Sequence, residues 1–207
     1  MVRTLINMKD ATQTRDVKSA LLDATDRLLA RHGYKKMTID DLAAEVGIGK
    51  GSVYLHFSSK EEIALSHIDA IIERLKARLF DIASKKSGCD KRLKEMLVER
   101  VIFRFDSVQH YTRSLDDIFS KIRQQLLERR KRYFEEEARI FAKLIREGVD
   151  SGAFAKMNPD DAARSLLLAT NSLLPYSLST QELGERTEIH KRVSELADLL
   201  LKGVVAR

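Results

Sequence analysis

Residues 38–57 read TIDDLAAEVGIGKGSVYLHF, and this stretch decides the fold. Ile39, Leu42, Ala43 and Val46 recur at i, i+3, i+4 and i+7, the spacing that gathers apolar side chains on one face of a helix. Thr38 stands where an N-cap belongs. Asp40 and Asp41 follow in the first turn, where carboxylates meet the positive end of the helix dipole. Gly47-Ile48-Gly49 breaks the periodicity before Lys50–Phe57 resumes it, with Val53 and Phe57 on one face. The stretch predicts two short helices joined by a glycine turn.

Outward from it, Val17, Leu21, Ala24 and Leu28 mark a preceding helix over about Asp16–Arg31, ended by Gly33. On the other side, Ser59 precedes Glu62 by three residues, the spacing of a capping box, and a helix continues through Ile63, Ile68, Ile71, Ile72, Leu75 and Leu79. Ser84–Gly88 reads as a break. Helices are then expected over about 90–109, 114–119 and 122–151, the last stopped by Gly152. Asn158-Pro159-Asp160-Asp161 is a strong helix start that should carry on to about Ser177, with Pro175 near its end, and a final helix should cover about Glu185–Val204. With 2 prolines and 9 glycines there are few breakers, and strand-type alternation is hard to find. The expected fold is all-α, with about nine helices. A polar arm (1–15) leads into a three-helix domain (16–77), followed by a larger helical domain (78–207).

Hydrophobic residues at 43% and charged residues at 33% are ordinary globular proportions and argue against global disorder. The single cysteine, Cys89, excludes an intrachain disulfide. No apolar run is long enough to span a membrane, and Met1–Arg15 lacks the apolar stretch of a signal peptide, so a cytoplasmic location without a membrane partner is expected. His32, His56, His67, His110 and His190 are scattered, and no Cys/His cluster, phosphate-binding glycine loop or nucleophile motif appears. An enzyme, a bound metal and a cofactor are therefore not expected.

The formal charge of +6 suggests a polyanionic partner, and no acidic residue lies between Glu45 and Glu61. Two helices around a tight turn are the parts of a helix-turn-helix, whose second helix fits the major groove of double-stranded DNA. With Val53 and Phe57 inward, Lys50, Gly51, Ser52, Tyr54 and His56 fall on or near the outer side. Lys50 and Ser52 suit base edges or phosphates, Gly51 lets the backbone approach, and Tyr54, His56 and Lys60 suit phosphates. Thr38, at the head of the supporting helix, is counted with this DNA-binding set. Arg3, Lys9 and Arg15 could follow a minor groove, although a frayed tail is the plainer reading of the arm.

The run Thr38, Ile39, Leu42, Ala43, Val46, Gly47, Ile48, then Lys50–Phe57 and Ser59-Lys60-Glu61-Glu62, closely resembles the signature of the TetR family of transcriptional regulators. Gly49 departs from it, standing where family members usually carry a serine that caps the recognition helix. The resemblance implies a homodimer that binds palindromic operator DNA and responds to a small-molecule effector. A repressor is the favoured reading; an activator or corepressor of the same fold, or a helical interaction module without DNA binding, are the alternatives. The resemblance also implies dimerisation through the last two helices. There Leu166, Ala169, Thr170 and Leu173 form one apolar stripe and Val193, Leu196, Ala197, Leu200 and Val204 another. An effector pocket would draw on mid-chain aromatics such as Phe103, Phe119 and Phe141, with Arg104, His110 and Asn171 as polar anchors. Glu128–Glu137 reads as a solvated helix whose charges pair at i, i+4.

Overall fold

The computed structural model describes residues 2–110, 115–175, 182 and 184–203, with the side chains of residues 2–16, 115 and 116 outside the description. Eight α-helices are formed among the described residues: α1 Val2–Lys36, α2 Ile39–Val46, α3 Lys50–His56, α4 Lys60–Ala83, α5 Cys89–Val108, α6 Leu115–Asp150, α7 Pro159–Thr170 and α8 Arg186–Leu201. The chain divides into two compact units, Met1–Ala70 with Arg113–Arg123, and Ile71–Thr112 with Gln124–Arg207.

Helix boundaries depart from the sequence expectations in three places. The backbone of α1 is helical from Val2 rather than from Asp16, since nothing before Gly33 interrupts it. Gly33 breaks α1 with φ 71°, a left-handed conformation that glycine adopts without steric cost. The two helices expected over 114–119 and 122–151 are one, α6, because no proline and no glycine before Gly148 stops it. Finally, α7 ends at Thr170 and a short 3₁₀ turn covers Asn171–Leu173. Leu174 is extended at φ −84° and ψ 147°, the conformation that the ring of a following proline imposes, and here that proline is Pro175. The expected end at Ser177 lies outside the described residues.

The first unit packs α1, α2 and α3 with the start of α4 around Leu21, Ala24, Leu28, Leu42, Ala43, Val53, Phe57 and Ile63, all buried. The Glu45 carboxylate ties α2 to α1, accepting from Arg27 Nε at 2.8 Å and from Arg31 Nη1 and Nη2 at 3.0 and 2.9 Å. The second unit has its own core, in which Leu75 and Leu79 of α4 meet Leu93, Met96 and Leu97 of α5, Phe141 and Ile145 of α6, Leu167 of α7, and Ala197 and Leu201 of α8. Burying such side chains stabilises a fold by about 1.5–3 kcal/mol each before ordering entropy is counted.

Candidate nucleic-acid interface

The turn between α2 and α3 is built by its termini. Thr38 Oγ1 accepts from the Asp41 N–H at 3.1 Å while the Asp41 carboxylate accepts from the Thr38 N–H at 2.9 Å, a complete capping box. The Thr38 hydroxyl, donating to the Asp41 carboxylate at 2.8 Å, and the Thr38 N–H hold that carboxyl below its ordinary range. At the other end Gly47 takes φ 75°, and the Gly47 and Ile48 N–H groups donate back to the carbonyls of Ala44 and Ala43 at 3.2 and 2.9 Å. Gly49 then starts α3 without a side-chain cap. Val53 of α3 and Phe57 at its C-cap pack inward, 0% and 2% exposed.

Burying those two side chains turns Lys50, Gly51 and Tyr54 outward, with Ser52 and His56 on the flanks. The expected outer residues are placed there, but Leu55, which stands outside that set, is the most exposed side chain of α3 at 84%, and both Lys50 and the neighbouring Lys60 are already engaged. Lys50 Nζ lies 2.7 Å from Asp40 Oδ2, and that hydrogen bond raises the lysine's pKa. The stretch from Glu45 to Glu61 has no acid of its own, yet the fold supplies one from α2. Lys60 lies with Nζ 4.3 Å from the centroid of the Tyr34 ring and 3.5 Å from the Lys35 carbonyl. Partial burial lowers the Lys60 pKa. Burial, reinforced by the neighbouring Glu61 carboxylate, pushes the Tyr34 hydroxyl up to about 12. Thr38 is exposed but spends its hydroxyl on Asp41, 2.8 Å away, so its observed role is to cap α2.

Gly51 is unexplained by the protein's own packing. A Cβ added there would meet nothing within 4 Å, and its φ is not positive. Glycine is a poorer helix former than alanine, by up to roughly 0.5–1 kcal/mol in a helix interior and less in the first turn, where Gly51 stands, and nothing within the fold offsets that cost.

The residues expected to meet an effector have differing surroundings. Phe141 is fully buried in the hydrophobic core, His110 is exposed, and Phe119 belongs by its contacts to the first unit. Phe103 is half-buried beneath the Arg78 guanidinium, 4.9 Å from its ring centroid. Arg104 and Asn171 are committed to a buried cluster that the sequence reading missed. Its centre is Arg100, 1% exposed, which donates Nε to Glu137 Oε2 at 2.8 Å, Nη1 to Thr170 Oγ1 at 2.8 Å and Nη2 to Asn171 Oδ1 at 2.8 Å. Arg104 Nη2 donates to the other Glu137 oxygen. Burial pushes the Glu137 carboxyl up, but the two guanidiniums outweigh it and hold its pKa below the ordinary range. A signal was present: Arg100 and Arg104 continue the register of Leu93, Met96, Leu97 and Val101, and a charge on a core stripe needs a partner on the facing helix. Glu137 corrects the picture of 128–137 as wholly solvated, and Glu135 pairs across to Arg164 at 3.0 Å.

Two of the residues expected at the dimer interface need correction. Leu166 and Val193 are 4% and 0% exposed, spent on the subunit's own core. Ala169, Leu173, Leu196 and Leu200 are half-buried, and the leucines facing outward on these helices are Leu168 and Leu199, at 61% and 66%. A stripe repeating at helical spacing identifies the face that packs first, and for Leu166 and Val193 that is the intrachain face. Among the described residues no helix is long and apolar enough to cross a membrane, and no group of His, Cys, Asp and Glu could hold a metal ion.

A three-helix head with a capped supporting helix, a left-handed glycine turn and an outward-facing second helix defines a helix-turn-helix protein. The family described as bacterial regulatory proteins, tetR family, matches residues 21–66, and the one described as tetracyclin repressor-like, C-terminal domain, matches residues 123–196. The chain belongs to the TetR family, which is a family of transcriptional regulators and not of enzymes. The uncharacterized HTH-type transcriptional regulator YerO of Bacillus subtilis (strain 168) is 32% identical over 94 residues, which is 45% of this chain and 32% of the relative. The chain's match thus spans about a third of that protein's length. The HTH-type transcriptional repressor KstR2 of Mycobacterium tuberculosis (strain ATCC 25618 / H37Rv) is 24% identical over 148 residues, 70% of this chain and 72% of the relative. A transcriptional regulator from Cytophaga hutchinsonii ATCC 33406 has the same fold, with a TM-score of 0.75 at 21% identity over 90% of this chain and 97% of that one.

Proposed function

We propose that the chain is a homodimeric, cytoplasmic repressor that binds palindromic operator DNA through α3 and is released by a small-molecule effector. Residues 16–77 serve as the DNA-binding domain and 78–207 as the effector-binding and dimerisation domain in this reading. The observation that carries it is the outer face of α3, where burial of Val53 and Phe57 leaves Lys50, Gly51 and Tyr54 exposed and Ser52 and His56 half-exposed around the side away from the core. Lys50 exchanges Asp40 for a base edge or phosphate on binding, and Tyr54, His56 and Lys60 hold the backbone. Repression is favoured by the likeness to a relative named as a repressor. Leu168 and Leu199, exposed on α7 and α8, support a second copy as the partner of the last two helices.

A dimer reads a palindrome by spacing two recognition helices about 34 Å apart, one turn of DNA. An effector releases it by binding the other spacing more tightly, on the order of tens-fold for 1–3 kcal/mol of coupling. Footprinting on the DNA flanking the gene tests the reading: a protected palindrome is expected, lost when Tyr54→Ala and Lys60→Ala are combined. Unprotected DNA, or unchanged affinity in the double variant, would overturn it. A monomer at micromolar concentration in sedimentation would overturn the dimer.

A further inference from the structure

We propose that Leu55 reads a thymine in each operator half-site through the base's C5-methyl group, with Gly51 setting how closely α3 approaches the groove floor. The inference rests on the DNA-binding reading above and adds a base preference to it. Successive residues of a helix turn by about 100°, so Gly51 and Leu55, two residues to either side of buried Val53, share the ridge opposite the core. Lys50 and Tyr54 flank that ridge on one side, and Ser52 and His56 on the other. Leu55 is 84% exposed, the most exposed large apolar side chain among the described residues, so it contributes little to the subunit's own packing. Gly51 beside it lacks a side chain that neither space nor backbone geometry forbids. Both departures from a stable, soluble helix fall on the one ridge that would face a groove.

The polar side chains suited to phosphates and base edges lie on the flanks, whereas the centre offers one flat position and one branched apolar group. In the major groove the apolar feature of the base pairs is the thymine methyl; every other edge presents donors and acceptors. A leucine pressed on a cytosine amino group or a guanine carbonyl would strip its water without replacing the hydrogen bond. On thymine it buries a methyl group instead, worth about fourfold in affinity.

Duplexes selected from a random pool by the full-length wild-type protein test this directly. The selected site should carry thymine at a symmetric position in both halves, and replacing those thymines by deoxyuridine, which removes only the methyl, should weaken wild-type binding about fourfold per half-site. Leu55→Ala should bind more weakly and be indifferent to the same replacement, while retaining the wild-type unfolding curve. Gly51→Ala should raise the unfolding midpoint and yet lose affinity for the site. If the wild type selects no sequence, the DNA-binding reading falls and this inference with it. If it selects a site but the deoxyuridine effect is absent, or is equal in wild type and Leu55→Ala, the assignment to Leu55 alone is overturned.

Discussion

Lys50–Asp40 in the first unit and Arg100–Glu137 in the second are ion pairs of nearly equal length, 2.7 and 2.8 Å, with opposite physical meanings. The first has side chains 52% and 67% exposed; the second, 2% and 1%. An exposed pair is screened by water and salt and exchanges its partner readily. A buried pair can lose a partner only by leaving an unsolvated charge behind. Lys50 can therefore change partner at little cost, while the second unit uses the same chemistry to hold α5, α6 and the end of α7 in one arrangement. An exposed charge in one unit is exchangeable; a buried one in the other specifies conformation.

The largest effect that would sharpen this contrast is expected from Glu137→Ala. Two buried guanidiniums would lose their shared carboxylate, and removing one partner of a buried pair costs about 3–5 kcal/mol. Urea unfolding followed by circular dichroism should show it, and a loss below about 1 kcal/mol, the level of an exposed pair, would erase the distinction. The pair also sets a pH dependence. Because the folded Glu137 pKa is depressed, its contribution is complete above the ordinary value of 4.5 and is lost as pH falls through the lower folded value. The stability gap between wild type and Glu137→Gln should therefore be constant at neutral pH and narrow only in acid below the ordinary glutamate range.

A smaller effect is expected from Thr38→Ala, which removes one arm of the capping box at the head of α2. Loss of such a cap costs about 1 kcal/mol. The midpoint of thermal unfolding should fall accordingly, and operator affinity should weaken through misplacement of the turn. The smallest change in stability belongs to Asp40→Asn. It releases Lys50 and removes a carboxylate from the face that would meet phosphates, so duplex affinity at low salt should rise severalfold with an almost unchanged unfolding curve. An affinity that fell would mean that Asp40 positions Lys50 for DNA rather than competing with it.

Most of the head was legible before its structure because its signals are local. Caps, a left-handed glycine and a 3.6-residue apolar period are each decided within a few residues of the chain. For that reason the boundaries of α2 and α3 and the burial of Val53 and Phe57 agree with expectation, while Leu55, apolar yet 84% exposed, stands outside the expected outward set. The second unit was less legible because its decisive contacts join residues far apart. Arg100 meets Glu137 and Thr170, 37 and 70 positions away, and while the stripe marks Arg100 as core-facing, no local pattern declares which distant residue it meets. Leu166 and Val193 were assigned to a partner for a related reason: periodicity identifies an apolar face but not what covers it.

The sequence by itself determined the all-helical character, the helix-turn-helix and its family, since these follow from backbone preferences and short-range spacing. Only the tertiary structure decided that Asp40 holds Lys50, that Glu137 binds two buried arginines, and that Gly51 and Leu55 form an outer ridge with no other task in the subunit. Those facts depend on which surfaces meet when helices pack, a choice made by the combined burial of many side chains and written in no single stretch of the chain.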